Sequence, residues 1–357
     1  QRRLMQPVFQ PRYLARMIDV MTSTTAAMLE RWRPVAASGR PLDVASEMMR
    51  LTCTIVGKAL FGTDVGHDIG TIEGSATVLM EHAWRRLEKI VDFPVSWPTP
   101  ANLRFRRARR GLEKIVWRII HDRRQSGQQA DDLLTLLLRQ KDEATGASLS
   151  DQDVRNETIT LLLAGHETTA NSLTWTWYCL SRFPVAARRI QAEVAAVVGR
   201  RMPTVEDLPR LEYTNRVYRE ALRLYPPIWI MERRVLADDA IAGYQIPSGS
   251  ALVISPYVTH RHPEFWNDPE AFDPDRFLPE RIAGRPPHAY IPFGSGQRQC
   301  IGRDFAMMEA LLILAMVTRQ YGLDLFPGHP VEPKPGITLR TKHGLLMTLR
   351  PHDSFSP

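Results

Sequence analysis

The sequence predicts a mainly α-helical chain with a small β part. Three observations point there. Apolar side chains recur every three or four residues over most of the chain, the spacing that lines one face of a helix. Alternating, turn-punctuated segments are confined to two short regions late in the sequence. The 357 residues are 44% hydrophobic, enough to cover helices with a buried core of their own.

The helical spacing runs first over residues 12–34 and 45–61, then over 70–90 and 101–124. Pro94, Pro98 and Pro100 break the chain between the last two. Asp131 and Asp132 are placed to cap a further helix ending at Arg139. A long helix is predicted over 151–182. Ser150 and Asp153 stand at capping-box spacing, and no proline follows until Pro184. Its middle, Ile159 to Ala164, is almost entirely apolar, so the helix should run through the interior. Helices over 184–198 and 211–225 follow. After Pro226-Pro227 the pattern changes to short strands and turns over 228–254, then to a Pro-, Gly- and Asp-rich stretch over 263–299. A last helix over 302–320 precedes strand-like pieces near 336–340 and 344–349. No repeat or low-complexity linker divides the chain, so residues 1–357 read as a single domain.

The formal net charge is +7. The densest basic group, Arg104, Arg106, Arg107, Arg109 and Arg110, has the texture of a solvated helix face. No nucleic-acid motif accompanies it, and nucleic acid is not an expected partner. No run of about eighteen apolar residues indicates a membrane span. The three cysteines, Cys53, Cys179 and Cys300, are far apart and odd in number, which implies no disulfide framework. Cys53 and Cys179 lie in apolar helical patterns and read as core.

Cys300 sits elsewhere, in Phe293-Gly294-Ser295-Gly296-Gln297-Arg298-Gln299-Cys300-Ile301-Gly302. The glycines permit tight turns and close approach of the backbone to a flat ligand. The cysteine precedes a helix N-terminus, whose free N–H groups favour an anion, so a lowered pKa and a thiolate are expected. Such a thiolate can attack a substrate, ligate a metal or simply pack. A zinc site lacks further donors at suitable spacing, and a nucleophile needs a base from far along the chain. A single axial bond to a haem iron needs neither.

This loop resembles the haem-binding signature of the cytochrome P450 family, with Phe293, Gly296, Cys300 and Gly302 at the four signature positions. The resemblance implies the P450 fold: a long central helix over haem, and a cysteine-ligand loop before the final long helix. It makes Cys300 the iron ligand of a thiolate-held haem b, packs Phe293 beside the sulfur, and gives Arg298 to a haem propionate. Ala164-Gly165-His166-Glu167-Thr168-Thr169 is similar to the family's distal-helix signature. A mid-helix glycine and an acid beside threonines in an apolar helix both call for a reason. The resemblance supplies one. Glu167 and Thr168 become the acid–alcohol pair that feeds protons to dioxygen activation, while Ala164 and Gly165 lie over the haem face and His166 turns aside. Glu220 and Arg223, followed by Leu224-Tyr225-Pro226-Pro227, match the Glu-x-x-Arg helix, and Arg276 matches the third member of that buried structural network.

By the same resemblance, Thr158, Leu161, Leu162, Ile228, Trp229, Ile230 and Ile337 line a substrate pocket. Arg234 is a second propionate partner, and His260 a pocket or propionate candidate. Arg2 is expected to bind propionate from the end of a helix whose aromatic start lies before Gln1. Family proportions then place about ninety residues upstream, making the sequence N-terminally incomplete. The implied activity is hydroxylation of a small apolar organic molecule with dioxygen, in a soluble, bacterial-like, cytoplasmic enzyme. Electrons come from a separate ferredoxin, flavodoxin or flavoprotein reductase, for which a basic protein surface is suited. The alternatives are a peroxide-driven haem-thiolate peroxygenase, a haem-binding sensor without turnover, and a haem-free helical cysteine enzyme.

Overall fold

A capping box sets the position of the longest helix, and the rest of the fold is arranged around it. In the computed structural model, which describes residues 2–88, 93–127, 132–139 and 148–352, the Ser150 hydroxyl accepts the Asp153 N–H at 3.1 Å and Asp153 accepts the Ser150 N–H at 3.2 Å. Thirty-two helical residues follow, to Arg182. Two of the four orphan N–H groups at a helix start are thereby satisfied. Pro184 then opens the next helix and ends this one.

Before that helix the chain forms α1 (Arg2–Met5), α2 (Pro11–Leu14), α3 (Ile18–Ser38), α4 (Val44–Phe61), α5 (Ile69–Glu88), α6 (Pro100–Ser126) and α7 (Leu133–Arg139). The long helix is α8 (Asp151–Arg182). After it come α9 (Pro184–Val197), α10 (Glu212–Leu224), α11 (Pro256–Thr259), α12 (Pro279–Ala283) and α13 (Arg303–Gln320). The predicted 12–34 helix is divided, with a 3₁₀ turn at Ala15–Met17 before α3. Helix α3 then runs past Pro34 to Gly39, whose positive φ of 63° closes it. At α7, Asp132 caps through the Thr135 N–H at 2.9 Å and also pairs with buried Arg123 at 2.7 Å. Asp131 lies outside the described residues.

Among the described residues the β part is four small antiparallel sheets. Strand β9 (Leu346–Pro351) lies between β1 (Leu42–Asp43) and β6 (Tyr321–Leu325). Strand β2 (Met231–Arg234) pairs with β5 (Ala251–Ile254), β3 (Asp239–Ile241) with β4 (Tyr244–Ile246), and β7 (Pro333–Lys334) with β8 (Arg340–Thr341). The predicted strand near 336–340 is instead mostly loop. Its backbone groups are taken by tertiary partners: Trp229 Nε1–H donates to Gly336 O at 2.8 Å, Trp175 Nε1–H to Leu339 O at 3.1 Å, and Leu339 N–H to Pro227 O at 2.8 Å. With those groups satisfied, no ladder is needed.

One hydrophobic cluster runs from Met5 to Leu349, with α8 and α13 deep inside it. Helix α4 lies along α8, where the Thr52 hydroxyl donates to His166 O at 2.9 Å. A Cβ at Gly165 would meet Val56 Cγ2 at 3.1 Å. The missing side chain at 165 therefore serves the packing of α8 on α4 as well as the open space on its other side. The arginine group of α6 is mostly on its solvent face. No helix among the described residues is long and apolar enough to cross a membrane.

Candidate functional site

Between the middle of α8 and the start of α13 lies a largely apolar cleft of about 350 Å³. One wall is a stripe of α8: Leu161, Ala164, Gly165, Thr168, Thr169 and Ser172. Those positions recur at three- and four-residue steps and so share a face. The opposite wall is the cysteine loop, with Pro292, Phe293, Gly294, Arg298, Cys300, Ile301 and Gly302, continuing into Phe305 and Ala306 of α13. Pro227, Ile228, Met231, Leu222, Tyr218 and Phe9 close the sides.

The loop takes its shape from two glycines with positive φ, Gly294 at 69° and Gly296 at 68°. The Cys300 N–H donates to Phe293 O at 2.9 Å, which folds the loop back and turns the thiol to the cleft. Gly296 lies in the turn and contributes shape rather than lining. Gly302 is the N-cap residue of α13.

The thiol's acidity corrects the sequence expectation. The pKa of Cys300 is raised, because protein encloses the sulfur on the sides away from the cleft and desolvates the thiolate. The Gly302 N–H and the charges of Arg2 and Arg303 pull the other way and do not offset it. The helix N-terminus starts three residues further on, and its dipole fades within a turn.

On α8, adjacent residues face different ways, as 100° per residue requires. The Thr168 hydroxyl donates to Ala164 O at 2.7 Å and presents its oxygen to the cleft. Glu167 is buried on another side and lines a second, more polar cavity of about 220 Å³ together with His166, Asn171, Glu73 and Arg340. His166 is buried there, its Nδ1 at 2.7 Å from Leu162 O, and burial lowers its pKa.

Several residues expected at the pocket lie elsewhere. Thr158 is fully buried, donating to Val154 O, and Leu162 is in the core. Trp229 clamps the late loop, and neither Ile230 nor Ile337 reaches the cleft. Of the seven, only Leu161 and Ile228 line it. Arg234 does not line the cleft and Arg233 does: in β2 side chains alternate, and Met231 and Arg233 share the face that lines it. Arg2 does not line the cleft, though its charge acts on the Cys300 thiol.

Beneath the cleft Glu220 and Arg223 form a bidentate pair, at 2.7 and 2.8 Å, fully shielded from solvent. Arg223 also donates to His260 O, Pro269 O and Ala271 O, and Arg276 approaches Glu220 at 3.4 Å. His260 belongs to this network and not to the cleft. Its Nε2 accepts the Ile291 N–H at 2.8 Å, tying the network to the start of the cysteine loop.

Burial takes the His260 pKa down to about 3. The unfolded value is about 6.5, so between those limits the unfolded chain binds the extra proton. Stability from this residue is complete above pH about 6.5 and is lost as pH falls toward 3, by up to about 1.4 kcal/mol per pH unit. Urea unfolding of wild type and His260→Gln at several pH values from about 4 to 8 should show the gap between them narrowing as pH falls. A gap that stays constant with pH would contradict this.

Sequence reasoning missed three polar groups. Glu309 on α13 is fully buried, neither carboxyl oxygen makes a full hydrogen bond, and desolvation raises its pKa far above the ordinary range, with the Thr169 hydroxyl opposing only in part. An acid inside Met307-Met308-Glu309-Ala310-Leu311 carries the signal that drew notice to Glu167. The buried Tyr218–Ser172 hydroxyl pair, 2.7 Å apart, and the Thr338–Glu167 contact leave no sequence signature.

The arrangement fits a flat, mostly apolar macrocycle bearing carboxylates. Its walls are apolar, a single thiol opens from one side, the facing stripe is bulk-poor at Ala164 and Gly165, and Arg298 and Arg233 are the cations lining it. Among the described residues no cluster of His, Cys, Asp or Glu could hold a metal ion by itself.

Comparison with known proteins gives the same direction. The cytochrome P450 family pattern matches residues 1–348. Cyclooctatin synthase of Streptomyces melanosporofaciens is 39% identical over 341 residues, covering 95% of this chain and 73% of that protein. Cyclooctat-9-en-7-ol 5-monooxygenase of the same organism is 36% identical over 92% of this chain and 71% of that protein. Pentalenene oxygenase of Streptomyces avermitilis is 37% identical, covering 93% of this chain and 73% of that protein. The crystal structure of the cytochrome P450DA heme domain superposes with a TM-score of 0.88 at 29% identity, over 98% of this chain and 76% of that one.

Proposed function

We propose, for a chain that belongs to the cytochrome P450 family and is a monooxygenase of that family, that it hydroxylates a cyclic terpenoid with electrons from a separate redox partner. The observation that carries the reading is the Cys300 thiol opening into an apolar cleft opposite Ala164, Gly165 and Thr168.

Cys300 would hold the iron of a haem b through its sulfur, Phe293 would pack beside it, and Arg298 and Arg233 would pair with the haem's carboxylates. The haem supplies dioxygen activation when bound. The chain's own part is positioning and proton handling. Apolar walls exclude water and hold a hydrocarbon without charged anchors. The Thr168 hydroxyl, its proton committed to Ala164 O, offers an oxygen that accepts a hydrogen bond from a group in the cleft. Glu167 is the acid that supplies protons from the far side of α8. Glu220, Arg223 and Arg276 carry structure. The substrate class follows from the apolar lining and from relatives named for oxygenation of cyclooctat-9-en-7-ol and pentalenene. The partner is a ferredoxin, flavodoxin or flavoprotein reductase, and the excess of positive charge suits an acidic one.

A carbon monoxide difference spectrum of the reduced, haem-loaded protein tests the ligand. The Soret band characteristic of thiolate-ligated haem is expected, and its absence sinks the reading. Turnover with NADPH and redox partners, compared with peroxide alone, decides the route. Product with peroxide and none with NADPH and redox partners makes the protein a peroxygenase. Thr168→Ala should divert electrons to released peroxide and lower product yield per NADPH by about tenfold or more. Unchanged coupling would remove Thr168 from proton handling.

A further inference from the structure

We infer that Thr338 is the positioning residue for Glu167, holding its carboxyl at the second cavity through a preset hydroxyl donor. The inference rests on the proton-supplying role proposed for Glu167. It adds the group that sets where that carboxyl stands.

Glu167 is 5% exposed, yet no cation pairs with it among the described residues. Its Oε1 accepts the Thr338 hydroxyl at 2.5 Å, and its Oε2 has no protein partner. Thr338 is itself buried, at 5% exposure, and comes from a loop 171 residues away in sequence. Its oxygen accepts the Asn171 side-chain amide at 3.3 Å. That contact occupies a lone pair of the hydroxyl and leaves its proton for Glu167. Asn171 is four residues after Glu167, on the same face of α8.

The donor is fixed independently of the acid. Gly336 is held by the Trp229 indole, and Leu339 by Pro227 O and the Trp175 indole, so the loop on both sides of Thr338 is anchored to α8 and to the segment after α10. A donor fixed by its surroundings orients an acid without reorganising at the moment of proton transfer. Thr338 holds one carboxyl oxygen. The other is buried and unpaired among the described residues, and Glu167 lines the polar cavity with Glu73 and Arg340, on a different side of α8 from the cleft. Glu167 is thereby placed to take up protons from that cavity, one turn-step from Thr168.

The test uses the haem-loaded protein in three variants, Thr338→Val, Thr338→Ser and Glu167→Gln. Infrared difference spectroscopy first assigns the Glu167 carboxyl band as the one lost in Glu167→Gln. In Thr338→Val that band should shift, and in Thr338→Ser it should return to its wild-type position. Dioxygen consumption with NADPH and redox partners should fall about tenfold in Thr338→Val, the loss of one hydrogen bond to an acid, with a larger solvent deuterium effect. Thr338→Ser should recover to within about twofold. The haem spectrum and its carbon monoxide complex should be unchanged in all three. An unmoved band and wild-type consumption in Thr338→Val, with Glu167→Gln impaired, overturn the positioning role alone. Wild-type consumption in Glu167→Gln overturns the proton role of Glu167 and this inference with it. If Thr338→Val fails to fold, a Thr338→Ser protein with a displaced band and tenfold lower consumption equally counts against a simple hydroxyl hold.

Discussion

Replacing Cys300 by alanine is expected to abolish turnover and the thiolate-type carbon monoxide band together, while the protein stays folded. The fold should survive because Cys300 faces a cleft and holds little of the core. Removing one small side chain there should cost about 1 kcal/mol or less in urea unfolding. Function should not survive, because among the described residues no other thiol lines the cleft. The control is built into the chain. Cys53 and Cys179 are buried in helices α4 and α8, and burial pushes the Cys53 thiol up to about 12 and that of Cys179 higher still. Cys53→Ala and Cys179→Ala should therefore keep the band. The raised pKa of the Cys300 thiol does not argue against ligation, since a coordinating metal deprotonates a thiol outright. It says that the chain alone does not prepare a thiolate. A Cys300→Ala protein that still gives the band would move the ligand to another residue.

What could be read in advance was what is encoded locally. Helix α8 runs over the residues its capping box and Pro184 mark out, and α4, α5, α6, α9, α10 and α13 begin and end within about two residues of the apolar periodicity. The cysteine loop was legible because its glycines and its cysteine are contiguous. Errors arose where a single residue of phase or a distant partner decides. Arg233 and Arg234 differ only in which face of β2 they occupy, and a one-residue shift reverses the side. The loop near 336–340 carries strand-like residues, but two indoles and a proline carbonyl take its backbone groups. Leu162 has the right helical neighbourhood and the wrong angle, whereas Thr158 shares the cleft's face of the helix but stands a turn before Leu161 and is buried. On α8, Leu161, Ala164, Gly165, Thr168 and Thr169 face the cleft, while Leu162 and Leu163 pack into the core. The Thr338 contact depends on residues 171 apart meeting, which no local pattern records.

The largest effect on stability is expected at Arg223. Its guanidinium, itself shielded from water together with the Glu220 carboxylate, gives two hydrogen bonds to Glu220 and one each to His260 O, Pro269 O and Ala271 O. Arg223→Ala would strand the buried Glu220 carboxylate and the buried His260 carbonyl, and leave two part-buried carbonyls without their donor. Breaking a buried pair from one side costs about 3–5 kcal/mol, and the orphaned carbonyls add to it. Arg223→Lys should help little, because an ammonium cannot spread five donors in one plane. Glu220→Gln should cost less than Arg223→Ala, since the amide oxygen can still accept from Arg223 and the Asp273 N–H. The loss should extend to the cysteine loop, because the His260 imidazole that receives the Ile291 N–H sits against Arg223 through its own carbonyl and ring. Thermal and urea unfolding, followed alongside haem retention, should rank the three variants as Arg223→Ala worst, Arg223→Lys close behind and Glu220→Gln mildest. An Arg223→Ala protein within about 1 kcal/mol of wild type would show that this network is not what holds the proximal side together.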